Sequence, residues 1–234
     1  MVVLPIQGTE ETVKFHGNKI IAVGLNYHAH ISESKVFDRK GLDVPKEPVL
    51  FAKTPNVLVG PGEPIVIPAI IERYNFEDPR IDPEAELAVV ISKTCKRVSP
   101  QAAWDYILGY TCFNDVSQRN IQKMDSSGWF RGKSFDTFGP IGPVIVPPSI
   151  IKDPQNLVIS CRINGTTTQS ASTRDMIFPI PELISFISQH ITLESGDIIA
   201  TGTPSGVSPI RAGDIVEVEI EGIGILKNPV IHEQ

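Results

Sequence analysis

From Glu84 to Ile91 the chain alternates with a period of two. Glu84, Glu86, Ala88 and Val90 fall on one side, and Ala85, Leu87, Val89 and Ile91 on the other. That period predicts a β-strand with one face against a core. Short apolar runs predict further strands at residues 19–23, 49–53, 63–67, 110–115, 143–146, 157–163, 197–201 and 215–220. Asn164-Gly165, between 157–163 and 166–170, suits a two-residue hairpin because both residues tolerate positive φ. Helical signals are fewer. Ser99-Pro100 offers a cap and a first-turn proline for a helix over 99–104. Residues 181–190 gather Leu183, Ile184, Phe186 and Ile187 on one apolar face. A short helix is expected after Ser117, and another beginning near His28.

Twenty prolines and eighteen glycines cut the chain into short pieces, which suits a β-rich fold with frequent turns. No repeat, low-complexity tract or long linker divides it, so one mixed α/β, predominantly β domain is expected. A chain of 234 residues with 41% hydrophobic content can bury its own core. The formal charge of −6, with no run or stripe of Lys and Arg, argues against a nucleic-acid partner. Small anions remain possible where a few cations converge. No apolar run approaches the ~18 residues of a membrane span, so no membrane partner is expected. The three cysteines lack ligand spacing, and Met1 leads into no basic start or cleavage pattern. Both point to a reduced, cytoplasmic protein.

Strand geometry gives Glu84 and Glu86 a common direction, roughly 7 Å apart. Like charges that close on a half-buried sheet repel unless something positive lies between them. A Glu-x-Glu pair alone also fits the solvent face of an edge strand. Asp115, at the end of the strand over 110–115, shifts the balance toward a metal. Three carboxylates without His or Cys favour Mg²⁺, Mn²⁺ or Ca²⁺ over Zn²⁺. Arg119 and Gln122 follow, expected to lean with Asp115 toward one side of the helix, and then Lys133. An arginine, a glutamine and a lysine near a metal are what a small oxo acid needs. The same Asp115–Arg119 spacing also fits a surface ion pair of little worth. His30 and Glu33 are i, i+3 neighbours if a helix follows residues 19–23, so the carboxylate can orient the imidazole. His28 has no acid at that spacing. A lone pair of this kind is usually a surface contact, which leaves the base open.

These segments, in this order, resemble the fumarylacetoacetate hydrolase family. They are Gly24-Leu25-Asn26-Tyr27 with His30 and Glu33, Phe51-Ala52-Lys53, Val59-Gly60-Pro61-Gly62, and Glu84 through Val90. Asn114 through Arg119 with Gln122, Gly132 through Phe138, Thr201 through Val207, and Gly222 through Asn228 complete the set. The resemblance implies a β-sandwich roll with a few short helices, forming a homodimer. It implies a catalytic domain over 19–234 after a short N-terminal segment, 1–18. It also implies Mg²⁺ or Mn²⁺ on Glu84, Glu86 and Asp115, and His30 with Glu33 as the base on a lid-like segment. Arg119, Gln122, Lys133, Lys53 and Thr203 become substrate and transition-state contacts. There are departures. Pro83 stands in place of an aromatic residue after a longer polar loop over 72–80, Asn120 in place of an acid, and Thr54 in place of a proline. They bear on the substrate and touch no proposed metal ligand.

The implied reaction acts on a small 2-oxo or β-diketo acid through an enolate. Hydrolysis of a C–C bond is the first expectation, of the acylpyruvate or fumarylpyruvate type. His30 would take a proton from water, and Lys133 and Gln122 would steady the oxyanion. Isomerisation of a hydroxyheptadienedioate or decarboxylation of an oxo acid uses the same enolate. A non-catalytic, metal-stabilised binding module is the rival from another class.

Overall fold

The computed structural model describes residues 1–36, 44–126 and 128–234, with the backbone alone for residues 34–36. Among the described residues, short β-branched runs assemble into two larger sheets and two small ribbons. The seven-stranded sheet runs, in spatial order, Val49–Lys53, Ile20–Gly24, Ile198–Ala200, Ala85–Ile91, Ile107–Asn114, Gly139–Val146 and Leu58–Val59. The five-stranded sheet runs Thr166–Ser172, Val158–Ile163, Ile215–Ile220, Gly224–His232 and Ile65–Ile67. Asn164 and Gly165 turn the first two of these strands with φ of 52° and 78°, as the sequence predicts.

Ala85–Ile91 is central, and every residue in it is buried. The sequence reading of one covered face needs correction, because both faces are core. Ala85, Leu87, Val89 and Ile91 join the larger core with Ile159, Cys161, Val216 and Leu183. Ala88 and Val90 join a second core capped by Val2, Leu4, Ile6 and Phe15. Those four residues belong to an N-terminal ribbon, Val2–Pro5 paired with Thr12–Phe15, and the residue that follows it at Ile6. Alternation supplied the inward residues on both sides; the distant ribbon supplied the second cover.

The helix over residues 181–190 forms as Ile180–His190, with Leu183, Ile184 and Ile187 buried. The one expected over 99–104 does not. Ser99 Oγ accepts from the Ala102 N–H at 3.3 Å, but only a 3₁₀ turn, Ala103–Tyr106, follows before the chain enters the next strand at Ile107. Gly224–His232 was not predicted, because Lys227-Asn228-Pro229 breaks its alternation. Among the described residues no helix is long and apolar enough to cross a membrane.

Candidate active site

The antiparallel pairing of Ala85–Ile91 with Ile107–Asn114 sets Ala85 opposite Asn114. Glu84 and Asp115 therefore meet just beyond that rung. The Asp115 N–H donates to the Glu84 carbonyl at 2.9 Å, and Asn114 Oδ1 accepts from the Glu84 N–H at 3.0 Å. Glu86 points from the same strand to the same place. Each of the three side chains offers an oxygen within 4.8 Å of the others, and all three are buried.

Positive groups surround two of them. Lys133 Nζ lies 2.6 Å from Glu84 and 2.5 Å from Asp115, Lys53 Nζ 2.6 Å from Asp115, and Arg119 Nη2 2.6 Å from Glu84. Burial alone would raise the Glu84 carboxyl, but Arg119 and Lys133 outweigh it and hold it well below the usual range. Burial works against the Lys133 ammonium too, yet Asp115 and Glu84 keep it charged. For Lys53 burial wins, with Lys133 adding repulsion, and its basicity falls despite Asp115. Glu86 differs. Its one hydrogen bond among the described residues comes from the Gly202 N–H at 2.9 Å. Burial, then Asp115 and Glu84, push it well above the carboxylate range. A buried carboxylate with two like neighbours and no cation of its own asks for one. An all-oxygen donor set fits a hard divalent ion, so Glu84, Glu86 and Asp115 could hold Mg²⁺, Mn²⁺ or Ca²⁺.

The helix His28–Val36 carries the imidazole. His30 is buried and lines the cavity, while His28 is exposed. His30 Nδ1 lies 3.4 Å from Glu33 Oε2. The Gly206 N–H donates to both Glu33 oxygens at 3.1 Å. Burial opposes ionisation of Glu33, but His30 and the Gly206 N–H keep its carboxyl below the ordinary value. Gly202 and Gly206, with φ of 98° and 101°, sit in one turn. A Cβ at Gly206 would fall 2.0 Å from the Thr168 carbonyl oxygen, so the turn needs glycine there.

A cavity of about 920 Å³ joins these groups, lined by His30, Glu84, Glu86, Asp115, Arg119, Gln122, Lys133 and Thr203. Two residues of the sequence-derived set have other duties. Lys53 does not line the cavity; it sits fully buried behind Asp115 and also donates to the Val116 carbonyl. Thr203 reaches the wall, but its hydroxyl donates to the Ala85 carbonyl at 2.9 Å and accepts from Gln169 at 2.8 Å. Asp115 precedes the helix Arg119–Met124 rather than lying on it. Arg119 turns to Asp82 and Glu84, and the alternative surface pair with Asp115 is not found among the described residues. Gln122 Oε1 accepts from Arg119 at 3.1 Å, which leaves its amide NH₂ as donor.

Sequence reasoning missed Asp82, which is buried and holds Arg119 Nε at 2.7 Å and Arg80 Nε at 2.9 Å. Its position two residues before Glu84 on a strand path was the available signal. Trp129 was also missed. It packs edge-on against Phe51 at 5.3 Å and lines the cavity, and nothing in its local sequence marks it.

The family profile described as fumarylacetoacetate (FAA) hydrolase C-terminal matches residues 19–231. The chain belongs to the fumarylacetoacetate hydrolase family. This family comprises enzymes whose activities include hydrolysis, isomerisation and tautomerisation. The Bacillus subtilis oxaloacetate tautomerase YisK is 42% identical over 218 residues, spanning 90% of this chain and 69% of its own. A solved 5-carboxymethyl-2-hydroxymuconate delta-isomerase from Mycobacterium smegmatis is 40% identical with a TM-score of 0.80. It covers 93% of this chain and 80% of that one. The maleylpyruvate hydrolase of Sphingobium sp. SYK-6, solved with manganese(II) and pyruvate, is 35% identical with a TM-score of 0.77. It covers 93% and 72%.

Proposed function

We propose that this enzyme moves a proton next to the carbonyl of a small 2-oxo diacid, interconverting keto and enol forms. One observation carries the reading. His30, with Glu33 behind it, opens on the same cavity as three buried carboxylates. A proton acceptor opposite a charge-stabilising centre is what removal of an acidic C–H requires. A divalent cation on Glu84, Glu86 and Asp115 would act as a Lewis acid for the negative charge that develops on the substrate oxygens.

The side chains divide the remaining work. Nδ1 of His30 faces Glu33, which fixes the tautomer and leaves Nε2 to take and return the proton. Lys133, kept charged by its carboxylate neighbours, supplies a fixed positive group at the cavity wall. Arg119 is held on Asp82 and Glu84 and in turn holds Gln122, whose NH₂ can donate to a substrate oxygen. Lys53 positions Asp115 from behind.

The likenesses to a tautomerase and an isomerase support proton transfer as the first reading. The maleylpyruvate hydrolase supports a second, hydrolysis of a C–C bond in an acylpyruvate, with His30 taking its proton from water. Free, buried cysteines agree with a cytoplasmic setting for either. Enol-to-keto conversion of oxaloacetate, followed by loss of enol absorbance with Mg²⁺ or Mn²⁺, tests the first. Acceleration over the metal salt alone is expected. No acceleration, with release of pyruvate from an acylpyruvate, would replace it by hydrolysis.

A further inference from the structure

We infer that Gln169 is a positioning residue of the carboxylate cluster and sets how tightly that cluster holds a divalent ion. It acts through Ala85, the residue that separates Glu84 from Glu86. The inference rests on the metal assignment proposed above and holds for either reaction. Ile198–Ala200 runs antiparallel to Ala85–Ile91, with Ala200 opposite Ala88. Carried on, that register sets Thr201 opposite Leu87 and Thr203 opposite Ala85. The ladder does continue at Thr201, whose N–H donates to the Leu87 carbonyl at 3.1 Å. Bonded rungs of an antiparallel pair recur every second residue, so Ala85 is next. Before it is reached, Gly202 at φ 98° turns the chain out of the strand, and side chains take over the bonds.

The Ala85 N–H donates to Gln169 Oε1 at 2.9 Å. Gln169 Nε2 donates to the Thr203 hydroxyl at 2.8 Å, and that hydroxyl donates to the Ala85 carbonyl at 2.9 Å. These bonds close a ring through Ala85, Gln169 and Thr203, all of them buried. Gln169 Nε2 also donates to the Pro204 carbonyl at 2.7 Å. A reversed amide would set N–H against N–H at Ala85 and carbonyl against carbonyl at Pro204, so its orientation is fixed. Gln169 comes from the other sheet, where it lies opposite Cys161. Just before it the register slips by one residue at Thr168, a β-bulge of the kind that re-aims a side chain. The Thr168 carbonyl is the one that a Cβ at Gly206 would strike. Thr168 and Gln169 together therefore seat the turn.

A twist at Ala85 would turn Glu84 and Glu86 relative to each other. On the near side Asn114 and Asp115 hold the backbone of Glu84. On the far side Gln169 and Thr203 hold Ala85, and they steady the turn whose Gly202 N–H answers Glu86. Gln169 does not line the cavity. Its influence passes through the ligands, as that of outer partners of a metal site does, commonly at 10–100-fold in affinity.

Mn²⁺ titration, followed by loss of the free ion's electron paramagnetic resonance signal, reads affinity without turnover. Gln169→Met keeps the length of the side chain and breaks the ring. Its Mn²⁺ dissociation constant is expected to rise at least about tenfold, at a temperature where the variant is folded. Gln155 supplies the control, because its amide also joins distant backbone groups, the Ile180 N–H at 2.7 Å and the Thr173 carbonyl at 3.4 Å. Gln155→Met should lower the melting temperature and leave the Mn²⁺ dissociation constant unchanged. Thr203→Val breaks the same ring, so the double variant should bind Mn²⁺ little more weakly than either single one. Should Gln169→Met fail to fold, Thr203→Val and Gln169→Glu, which lacks the amide donors, are expected to show the weakened binding. Unchanged Mn²⁺ affinity in the folded Gln169 or Thr203 variants, or an equal loss in Gln155→Met, overturns the inference. Wild type that binds no Mn²⁺ would overturn the metal assignment itself. Wild type that binds it yet accelerates no enol conversion would sink only the reaction assignment.

Discussion

Replacing Glu86 with glutamine should make the metal-free protein more stable and the metal-loaded protein less so. Glu86 is buried with an oxygen within 4.8 Å of oxygens on both Glu84 and Asp115, and only a backbone N–H answers it. Two unit charges at that distance repel by roughly 3.5 kcal/mol at an effective dielectric of about 20. Two such neighbours, only partly offset by Lys133, drive the buried carboxyl to take up a proton rather than bear the full repulsion. That limits the penalty that a neutral amide of the same shape removes to about 2 kcal/mol. Urea unfolding after exhaustive chelation reads this directly, and Glu86→Gln should gain about that amount. With Mn²⁺ at about a hundred times its dissociation constant, wild type should gain about 2.7 kcal/mol and the variant almost none. The order of stabilities then reverses. A variant less stable than wild type without metal, and stabilised equally by it, would refute the idea that Glu86 is held in wait for a cation.

The remaining expectations concern the groups around that cluster. His30→Ala should lower turnover about 10²–10⁴-fold while Mn²⁺ still raises the melting temperature; undiminished turnover would place the base elsewhere. Lys53→Met should cost about 3 kcal/mol in urea unfolding, the low end for breaking a buried pair, because Lys133 still contacts Asp115. A change below about 0.5 kcal/mol would show that Lys53 does not hold Asp115.

The chemistry of the site was more legible in the sequence than its supports. Glu84, Glu86 and Asp115 could be grouped because a strand's period and a strand's end are local facts. His30 and Glu33 were readable as a pair for the same reason, through helical spacing. What escaped was set by partners far along the chain. The Glu84–Ile91 alternation gave no hint that Val2 and Phe15 would cover its second face. Lys53 and Thr203 were read as substrate contacts, and the fold instead gives them Asp115, Ala85 and Gln169 as hydrogen-bond partners, none of which their local sequence announces. Asp82 carried a weak local signal in its spacing to Glu84, and Trp129 carries no local pattern that separates it from ordinary loop residues.

The turn through Gly202 and Gly206 reaches both halves of the chemistry. One of its N–H groups holds Glu86 in the carboxylate cluster, and the other holds Glu33 behind the imidazole. In the proposed proton transfer, the turn would work as a gauge block, setting the gap between the imidazole and the carboxylate cluster. Lengthening it by one residue would leave both hydrogen-bonded groups intact in kind and misplace them relative to each other. Evolution or engineering could therefore retune the proposed reaction through two backbone N–H groups rather than through a cavity-lining side chain.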